Sequence, residues 1–157
     1  MQRVTNCTVI KDGKVLLLQK PSRGWWVAPG GKMETGETIK ESAIRECREE
    51  TGFTVKNPEL TGVYTMVIEE DGKVISEWML FTFKGTDYSG TMLEHSPEGE
   101  LKWWDTDKTN NLPMAEGDRK LMQHSLHGEG IMFGTFYYSP SYELLRSRID
   151  SDPTVKS

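Results

Sequence analysis

The stretch PGGKMETGETIKESAIRECREETGF, from Pro29 to Phe53, decides both the fold and the chemistry open to this chain. Nothing from Glu37 to Thr51 breaks a helix, and Gly52 stands where a C-terminal cap belongs. Three carboxylates in this predicted helix occur at i, i+3 and i+4, where like charges are neighbours and repel. They are Glu46, Glu49 and Glu50. Such a cluster is either a solvated surface or a set of ligands for a cation.

The apolar positions of the same helix show which side of it faces the predicted core. At about 100° per residue the apolar side chains share one sector, and the three glutamates lie beside it. These apolar residues are Ile39, Ala43, Ile44 and Cys47. One face can therefore pack on a sheet while its flank shows carboxylates to a cleft. Hard divalent ions prefer such oxygen ligands, and the Gly30-Gly31 turn lets backbone approach an ion closely.

The rest of the chain predicts an α/β (α+β) domain with helices packed on a mixed sheet. Segments rich in branched and aromatic residues predict strands over 4–10, 14–19, 60–69, 74–83, 101–104 and 131–138. A second helix is predicted from Gly117 to His127. No linker divides the chain, so we expect a single domain over residues 1–150 and a flexible C-terminal tail over 151–157.

Charge and composition exclude several classes of function. The chain has 157 residues and a net charge of −5, which argues against the basic surface that a nucleic acid polymer needs. No apolar run could span a bilayer, and the start lacks the apolar core of a signal peptide. Cys7 and Cys47 form no paired framework, which predicts a reducing, cytoplasmic setting. We expect a monomer or a homodimer without a membrane partner.

Written as positions, the opening stretch is Gly31, five residues, Glu37, seven residues, and then the run from Arg45 to Phe53. This pattern resembles the signature of Nudix hydrolases, in which a glycine loop opens onto a helix ending in Arg-Glu-apolar-x-Glu-Glu-x-Gly-apolar. Cys47 stands where an aliphatic residue is usual, but a buried thiol behaves as a small hydrophobe. The resemblance implies a Nudix fold, with a mixed sheet sandwiched between helices, and hydrolysis of a nucleoside diphosphate linked to another group.

The resemblance also implies a metal site and catalytic residues. Mg²⁺ or Mn²⁺ would be held by the Gly30 carbonyl and by the carboxylates of Glu46, Glu49 and Glu50. Glu46 is expected to orient or deprotonate the attacking water, although family members differ in which glutamate is the base, so Glu49 stays a candidate. The planar fork of Arg45 is able to hold a neighbouring carboxylate in one orientation. Glu37 is predicted to begin the helix, where the dipole favours a negative charge.

A further metal ligand is expected from the far side of the cleft. The stretch SPEGELKWW, from Ser96 to Trp104, resembles the acidic loop and strand of nucleotide-pool sanitising enzymes. Glu98 falls on their metal-binding glutamate. Glu94 and Glu100 are competing candidates, and an exposed acidic loop is the alternative.

The run from Trp26 to Lys32 resembles 8-oxo-dGTP diphosphatases of the mutator type, and it sets the expected substrate residues. Cations and the glycine turn would bind phosphate, Trp26 or its neighbour Trp25 would stack on a base, and acidic residues would read the purine edge. The expected residues are Lys20, Arg23, Lys32 and Gly31 for phosphate, Trp26 for the base, and Glu116 and Asp118 for its edge. A helix N-cap is the rival account of Asp118.

The expected function is a Mg²⁺-dependent nucleoside polyphosphate pyrophosphohydrolase that converts a purine nucleotide to its monophosphate and pyrophosphate. The departure at Val27, where the human-type sanitiser carries a base-reading asparagine, leaves the choice of base open. The segment around Trp25 also resembles Bacillus-type Nudix hydrolases of the guanine alarmone (p)ppGpp. The other alternative is a non-catalytic Nudix module that senses a nucleotide.

Overall fold

A computed structural model describes residues 1–150, so the tail predicted over 151–157 lies outside the described residues. The strands are β1 (Gln2–Lys11), β2 (Lys14–Gln19), β3 (Trp26–Val27), β4 (Gly30–Lys32), β5 (Phe53–Val55), β6 (Glu59–Glu70), β7 (Lys73–Gly85), β8 (Tyr88–Gly90), β9 (Glu100–Asp105), β10 (Met132–Tyr138) and β11 (Leu144–Asp150). The helices are α1 (Ile39–Thr51) and α2 (Glu116–His127), with a 3-10 helix at Thr106–Asn111.

The strands form one large mixed sheet and one small one. The large sheet runs β11-β10-β6-β7-β1-β2-β3, with β4 paired to β1 and β9 paired to β2. The pairs β1–β7 and β6–β10 are parallel, and the other pairs in this sheet are antiparallel. Strands β5 and β8 pair separately. The prediction of a mixed α+β architecture is confirmed.

The two helices cover opposite faces of the large sheet. In β2, Leu16 packs in the cluster that contains Ala43 and Cys47 of α1, whereas Val15 and Leu17 pack in a cluster with the apolar residues of α2. Successive side chains of a strand point to opposite faces, so neighbouring residues of β2 reach different helices. The prediction of a sheet sandwiched between helices is therefore confirmed, and the Cys47 thiol occupies a fully buried apolar position.

Helix α1 begins two residues later than the sequence predicts. Thr38 is the N-cap, with extended backbone, and it forms a reciprocal capping box with Glu41. Glu37 therefore lies outside the helix, and the prediction that it begins the helix is wrong. Gly52 ends the helix in the left-handed conformation at φ 87°, as expected for a C-terminal cap.

Helix α2 begins at Glu116, one residue before the predicted start, and Ala115 is its N-cap residue. The rival account of Asp118 as an N-cap is therefore wrong, because Asp118 stands two residues inside the helix. No helix within residues 1–150 is long and apolar enough to cross a membrane.

Candidate active site

The glycine turn and helix α1 meet at the edge of strand β1. Gly30 pairs with Asn6 of β1, and its amide donates to Oε2 of Glu50 at 3.1 Å. A Cβ atom on Gly31 would lie 2.5 Å from Oε2 of Glu46. A side chain at this position would displace the Glu46 carboxylate, so glycine allows the close contact between them. The fold brings together Gly30, Gly31, Glu46 and Glu50.

Arg45 organises the acidic residues around it. Its Nε donates to Oε2 of Glu37 at 2.7 Å, and its Nη1 donates to Oε1 of Glu46 at 2.8 Å and to Oε2 of Glu49 at 3.2 Å. Its Nη2 donates to the Lys32 carbonyl at 3.1 Å. Hydrogen bonds from Arg45 lower the pKa of Glu37 to about 2. The repulsion among these carboxylates is thus offset by one guanidinium held in a fixed orientation.

Glu50 is the unusual member of the cluster. Its side chain is buried, and Oε1 finds no hydrogen-bond partner among residues 1–150. Burial, only partly offset by the Lys20 charge, raises the pKa of Glu50 to about 8. An unpaired buried carboxylate oxygen is costly unless a cation or a proton satisfies it. Its position beside the glycine turn fits a ligand of a hard divalent ion.

The carboxylates do not yet form a closed metal cage. Within residues 1–150, no group of three His, Cys, Asp or Glu side chains converges as a metal site. Nη1 of Arg45 bonds one oxygen of Glu46 and one of Glu49. The donor set has the chemistry that Mg²⁺ or Mn²⁺ requires, and a bound ion would compete with Arg45 for the same carboxylates.

A cleft of about 240 Å³ opens beside the glycine turn. Gly30 and Gly31 form one end of it, and Lys20 lies on its wall. Apolar side chains line most of the remainder, namely Val4, Met66, Trp78, Leu80 and Ala115. The phosphate-sized, cationic end and the apolar interior suit a ligand that has a charged part and a flat apolar part.

The floor of the cleft carries hydrogen-bonding groups. Asp118 and Asn6 line both the cleft and a smaller adjoining cavity of about 30 Å³, which Thr82 also lines. Within the described part of the chain, Oδ1 of Asn6 and the Thr82 hydroxyl are buried without a partner. Burial raises the pKa of Asp118 to about 6. The Asn6 amide oxygen and the Asp118 carboxylate are thus two acceptors for a ligand that carries hydrogen-bond donors and reaches the floor of the cleft.

The two adjacent tryptophans have opposite placements. Trp25 lines the cleft, whereas Trp26 is 6% exposed and packs edge-on against Trp104 at 5.2 Å between ring centroids. The expected stacking residue Trp26 is therefore a core residue beneath helix α2. The reason is the pairing of β3 with β2, which opposes Trp26 to Gln19 and turns its indole to the α2 face.

The expected phosphate-binding cations also separate. Lys20 lines the cleft and pairs with Glu98 at 3.2 Å. The guanidinium of Arg23 stacks on Trp25 at 4.9 Å from the ring centroid. The side chain of Lys32 is exposed, and only its carbonyl contacts Arg45. Lys20 is the cation that the fold places on the cleft wall.

The acidic candidates outside helix α1 differ in where they lie relative to the cleft. Glu98 is exposed and pairs with Lys20, which lines the cleft, and its charge contributes in the raising direction to the pKa of Glu50. Glu94, Glu98 and Glu100 all line a separate surface pocket, and none of them is in the described cleft lining. Glu116 is exposed and pairs with Arg119 at 3.4 Å, and it is absent from the described cleft lining. Of the two expected edge-reading residues, the cleft receives Asp118.

Several cleft residues escape sequence reasoning. They are Asn6, Trp78, Tyr138 and Tyr142, and they come from β1, β7, β10 and the turn after β10. For Asn6 a signal exists, because an amide in the otherwise apolar and hydroxyl-bearing run VTNCTVI needs a partner. The aromatic residues give no such signal, since aromatic residues in strands are ordinary core residues.

Comparison with known proteins places the chain among relatives of one kind. Residues 1–125 match the model of the NUDIX domain family. The chain is 53% identical over 150 residues to "Uncharacterized Nudix hydrolase YvcI" of Bacillus subtilis, covering 96% of this chain and 95% of that one. It is 33% identical over 108 residues to "Oxidized purine nucleoside triphosphate hydrolase" of Danio rerio, covering 67% of each.

A solved structure agrees over almost the whole chain. The crystal structure of the "mMutator MutT protein" from Bacillus halodurans superposes with a TM-score of 0.94 at 58% identity. The match covers 98% of this chain and 100% of that one. The fold beyond residue 125, including β10 and β11, is therefore shared with that protein.

Proposed function

Because the chain belongs to the Nudix hydrolase family, whose members act on nucleoside diphosphate-linked substrates, we propose that it is a Mg²⁺-dependent pyrophosphohydrolase of purine nucleoside polyphosphates. The products are a nucleoside monophosphate and pyrophosphate. One observation carries the proposal. The buried carboxyl of Glu50, whose Oε1 has no partner among residues 1–150, bonds the glycine turn at the charged end of a cleft large enough for a nucleotide part.

The chain's own residues divide the work as follows. Arg45 fixes Glu46 through Oε1, which leaves Oε2 of Glu46 next to Gly31 to orient a water molecule. Glu49 and Glu50, with the Gly30 carbonyl, complete the oxygen ligands. A bound Mg²⁺ or Mn²⁺ ion would polarise the phosphoryl oxygens and lower the pKa of water. Lys20, which lines the same charged end of the cleft, offsets the charge of the phosphates.

The base would enter the apolar part of the cleft. Asn6 and Asp118 offer two acceptors at its floor, which suits a base edge with adjacent donors, such as the ring N–H and the amino group of guanine. A purine triphosphate is also the substrate that the Danio rerio relative is named for. Oxidised and ordinary guanine nucleotides, and guanine alarmones, share this donor edge.

A substrate panel tests the proposal. Hydrolysis of dGTP, 8-oxo-dGTP, ppGpp, ADP-ribose and diadenosine tetraphosphate is measured with Mg²⁺, with products identified and kcat/KM compared. We expect the highest value for a guanine nucleotide, with pyrophosphate released. Glu49→Gln should abolish turnover, whereas Glu59→Gln, at the exposed first residue of β6, should not. Turnover that survives Glu49→Gln would refute the assignment of this site. No turnover of any substrate would refute the proposal and leave a sensor.

A further metal ligand is part of the same proposal. Glu98 lies two residues before Glu100, the first residue of β9, and of these two only Glu98 pairs with Lys20 and contributes to the raised pKa of Glu50. We expect Glu98→Gln to raise the Mg²⁺ concentration needed for half-maximal rate, and Glu100→Gln to leave it unchanged. Equal Mg²⁺ requirements for both variants would remove Glu98 from the site.

A further inference from the structure

Tyr142 lines the cleft from the turn between β10 and β11, beyond residue 125, where the family match ends. We propose that Trp25 and Tyr142, which line the cleft and are bridged by Arg23, form a stacking clamp with it that holds the base of the bound nucleotide. We call these three residues the aromatic clamp. The inference rests on the proposed function, since it assumes that the phosphates occupy the glycine end of the same cleft.

The three side chains already form one packed unit. The Arg23 guanidinium lies 4.9 Å from the centroid of the Trp25 ring and 5.1 Å from that of Tyr142. The two rings meet edge to face, with centroids 6.4 Å apart and planes at 89°. Arg23 is also anchored by a hydrogen bond from Nη1 to the Ser141 carbonyl at 3.3 Å. Flat groups held this way present faces on which a base can stack.

The backbone at Tyr142 is unfavourable for its side chain. Its φ is +64°, in the left-handed region that bulky residues rarely adopt. The surrounding turn holds it there, because the Tyr142 amide donates to the Ser139 carbonyl at 2.9 Å and the Ser139 amide donates to the Glu143 carbonyl at 2.9 Å. Glycine or asparagine would fit this backbone better. Strained positions of this kind concentrate at ligand sites.

Burial of the Tyr142 ring does not explain why a bulky residue stands at this strained backbone position. The Tyr142 side chain is 40% exposed, although its ring also lies 6.0 Å from that of the buried Tyr138. An exposed aromatic ring in a costly conformation at the rim of a cleft contributes little to the core. The ring lines the same cavity as Lys20 and the glycine turn, which instead fits contact with the base of a nucleotide bound there.

The clamp has a recognisable chemical consequence. Stacking accepts any flat base, because every base has a π face. The clamp should therefore strengthen binding of purine nucleotides as a class, whereas Asn6 and Asp118 distinguish between their edges. A ligand that lacks a base, such as inorganic triphosphate, should be indifferent to it. This separates the clamp from a phosphate-binding role for Arg23.

Steady-state kinetics of Tyr142→Asn and Tyr142→Phe test the clamp. We expect Tyr142→Asn to raise KM for each hydrolysed purine nucleotide by about ten-fold, with kcat little changed, because one stacking face is lost. Tyr142→Phe keeps the ring and should keep KM. The melting temperature of Tyr142→Asn should not fall, because asparagine tolerates the left-handed backbone. Arg23→Gln provides a second loss of the clamp if the asparagine variant fails to fold.

Two controls make the result specific. Tyr137→Leu removes another tyrosine that carries a stacked arginine: the Arg146 guanidinium lies 3.9 Å from the Tyr137 ring centroid, where β10 pairs with β11. The KM of this variant should equal that of wild type. Inhibition by inorganic triphosphate should be the same in wild type, Tyr142→Asn and Arg23→Gln. Weaker inhibition in Arg23→Gln would assign Arg23 to phosphate and overturn the clamp.

The clamp and the proposed function can fail separately. If wild type hydrolyses a nucleotide and Tyr142→Asn has an unchanged KM, the clamp is wrong and the function stands. If wild type hydrolyses nothing, the function fails, and calorimetric titration with the same nucleotides decides the clamp. Weaker nucleotide binding by Tyr142→Asn than by wild type would then support it. Equal binding, or no binding to either, would refute it.

Discussion

Replacing Glu50 by glutamine should stabilise the metal-free protein and abolish its response to Mg²⁺. The carboxylate is buried, has one oxygen without a partner within residues 1–150, and has its pKa raised to about 8, mainly by loss of solvent. Glutamine has nearly the same shape and carries no charge. The variant therefore removes the group that favours the unfolded state at neutral pH and, at the same time, an oxygen that would bind the ion.

The pKa values give the size and the sign of the effect. Glu50 has a reference pKa of 4.5 and a folded pKa of about 8. The folded protein thus keeps a proton that the unfolded chain releases, and wild type loses stability as pH rises from about 4.5 to about 8. At about 1.4 kcal/mol per unit, the loss reaches an upper value of about 3 kcal/mol at pH 7. For a chain of this size that corresponds to about 6–12 °C in Tm.

Thermal denaturation in EDTA and in Mg²⁺, at pH 5 and pH 8, measures this prediction. In EDTA at pH 8, Glu50→Gln should melt above wild type, and the difference should shrink at pH 5. Mg²⁺ should raise the Tm of wild type but not that of Glu50→Gln, because the ion stabilises only a folded protein that binds it. Glu59→Gln, at an exposed position, should behave as wild type under all four conditions. The reasoning is refuted if Glu50→Gln melts below wild type in EDTA at pH 8, or if it keeps the full response to Mg²⁺.

Three further predictions concern the groups around Glu50. Arg45→Lys replaces the planar guanidinium with a point charge and should lower kcat by about 10–100-fold. Circular dichroism should show that the fold is retained. A wild-type rate would show that the guanidinium does not position the carboxylates. Gly31→Ala puts a Cβ atom 2.5 Å from Oε2 of Glu46 and should lower kcat at least about ten-fold in the same assay. Full activity of this variant would contradict the close approach of Gly31 to the Glu46 carboxylate. In wild type, KM for a guanine nucleotide should fall as pH rises through about 6, because ionisation of Asp118 creates an acceptor for the base. Asp118→Asn should remove this pH dependence. Identical KM profiles for both proteins would exclude Asp118 from base contact.

Helix α1 shows how far local sequence reaches. Its extent, its apolar face and its C-terminal Gly52 follow from spacing within one short segment, and the structure agrees except at the start. There, Thr38 takes the N-cap position through its capping box with Glu41, and Glu37 bonds Arg45, eight residues away. The capping box is a local pattern that fixes the start, and helix periodicity alone does not use it.

Short strands lie beyond the reach of periodicity. Strands β3 and β4 have two and three residues, and each exists because a longer strand pairs with it. Strand β11 at the sheet edge was not expected, since its sequence LLRSRID gives only weak alternation. The pairing of β3 with β2 also decided that Trp25, and not Trp26, lines the cleft. Alternation in an extended segment predicts that the two differ, but not which one faces the ligand.

The sequence by itself determined the acidic helix, the glycine turn before it and the family to which they belong, because caps, helical spacing and glycine loops are local features that neighbouring residues define. The tertiary structure alone decided that Glu50 has a buried oxygen without a partner among residues 1–150, that Asn6 and Asp118 share a cleft floor, and that Tyr142 lines the same cleft. The first fact depends on residues from 20 to 48 positions away from Glu50, and the other two on residues more than a hundred positions apart. Burial and cavity shape arise only when distant strands pair, so no local pattern encodes them.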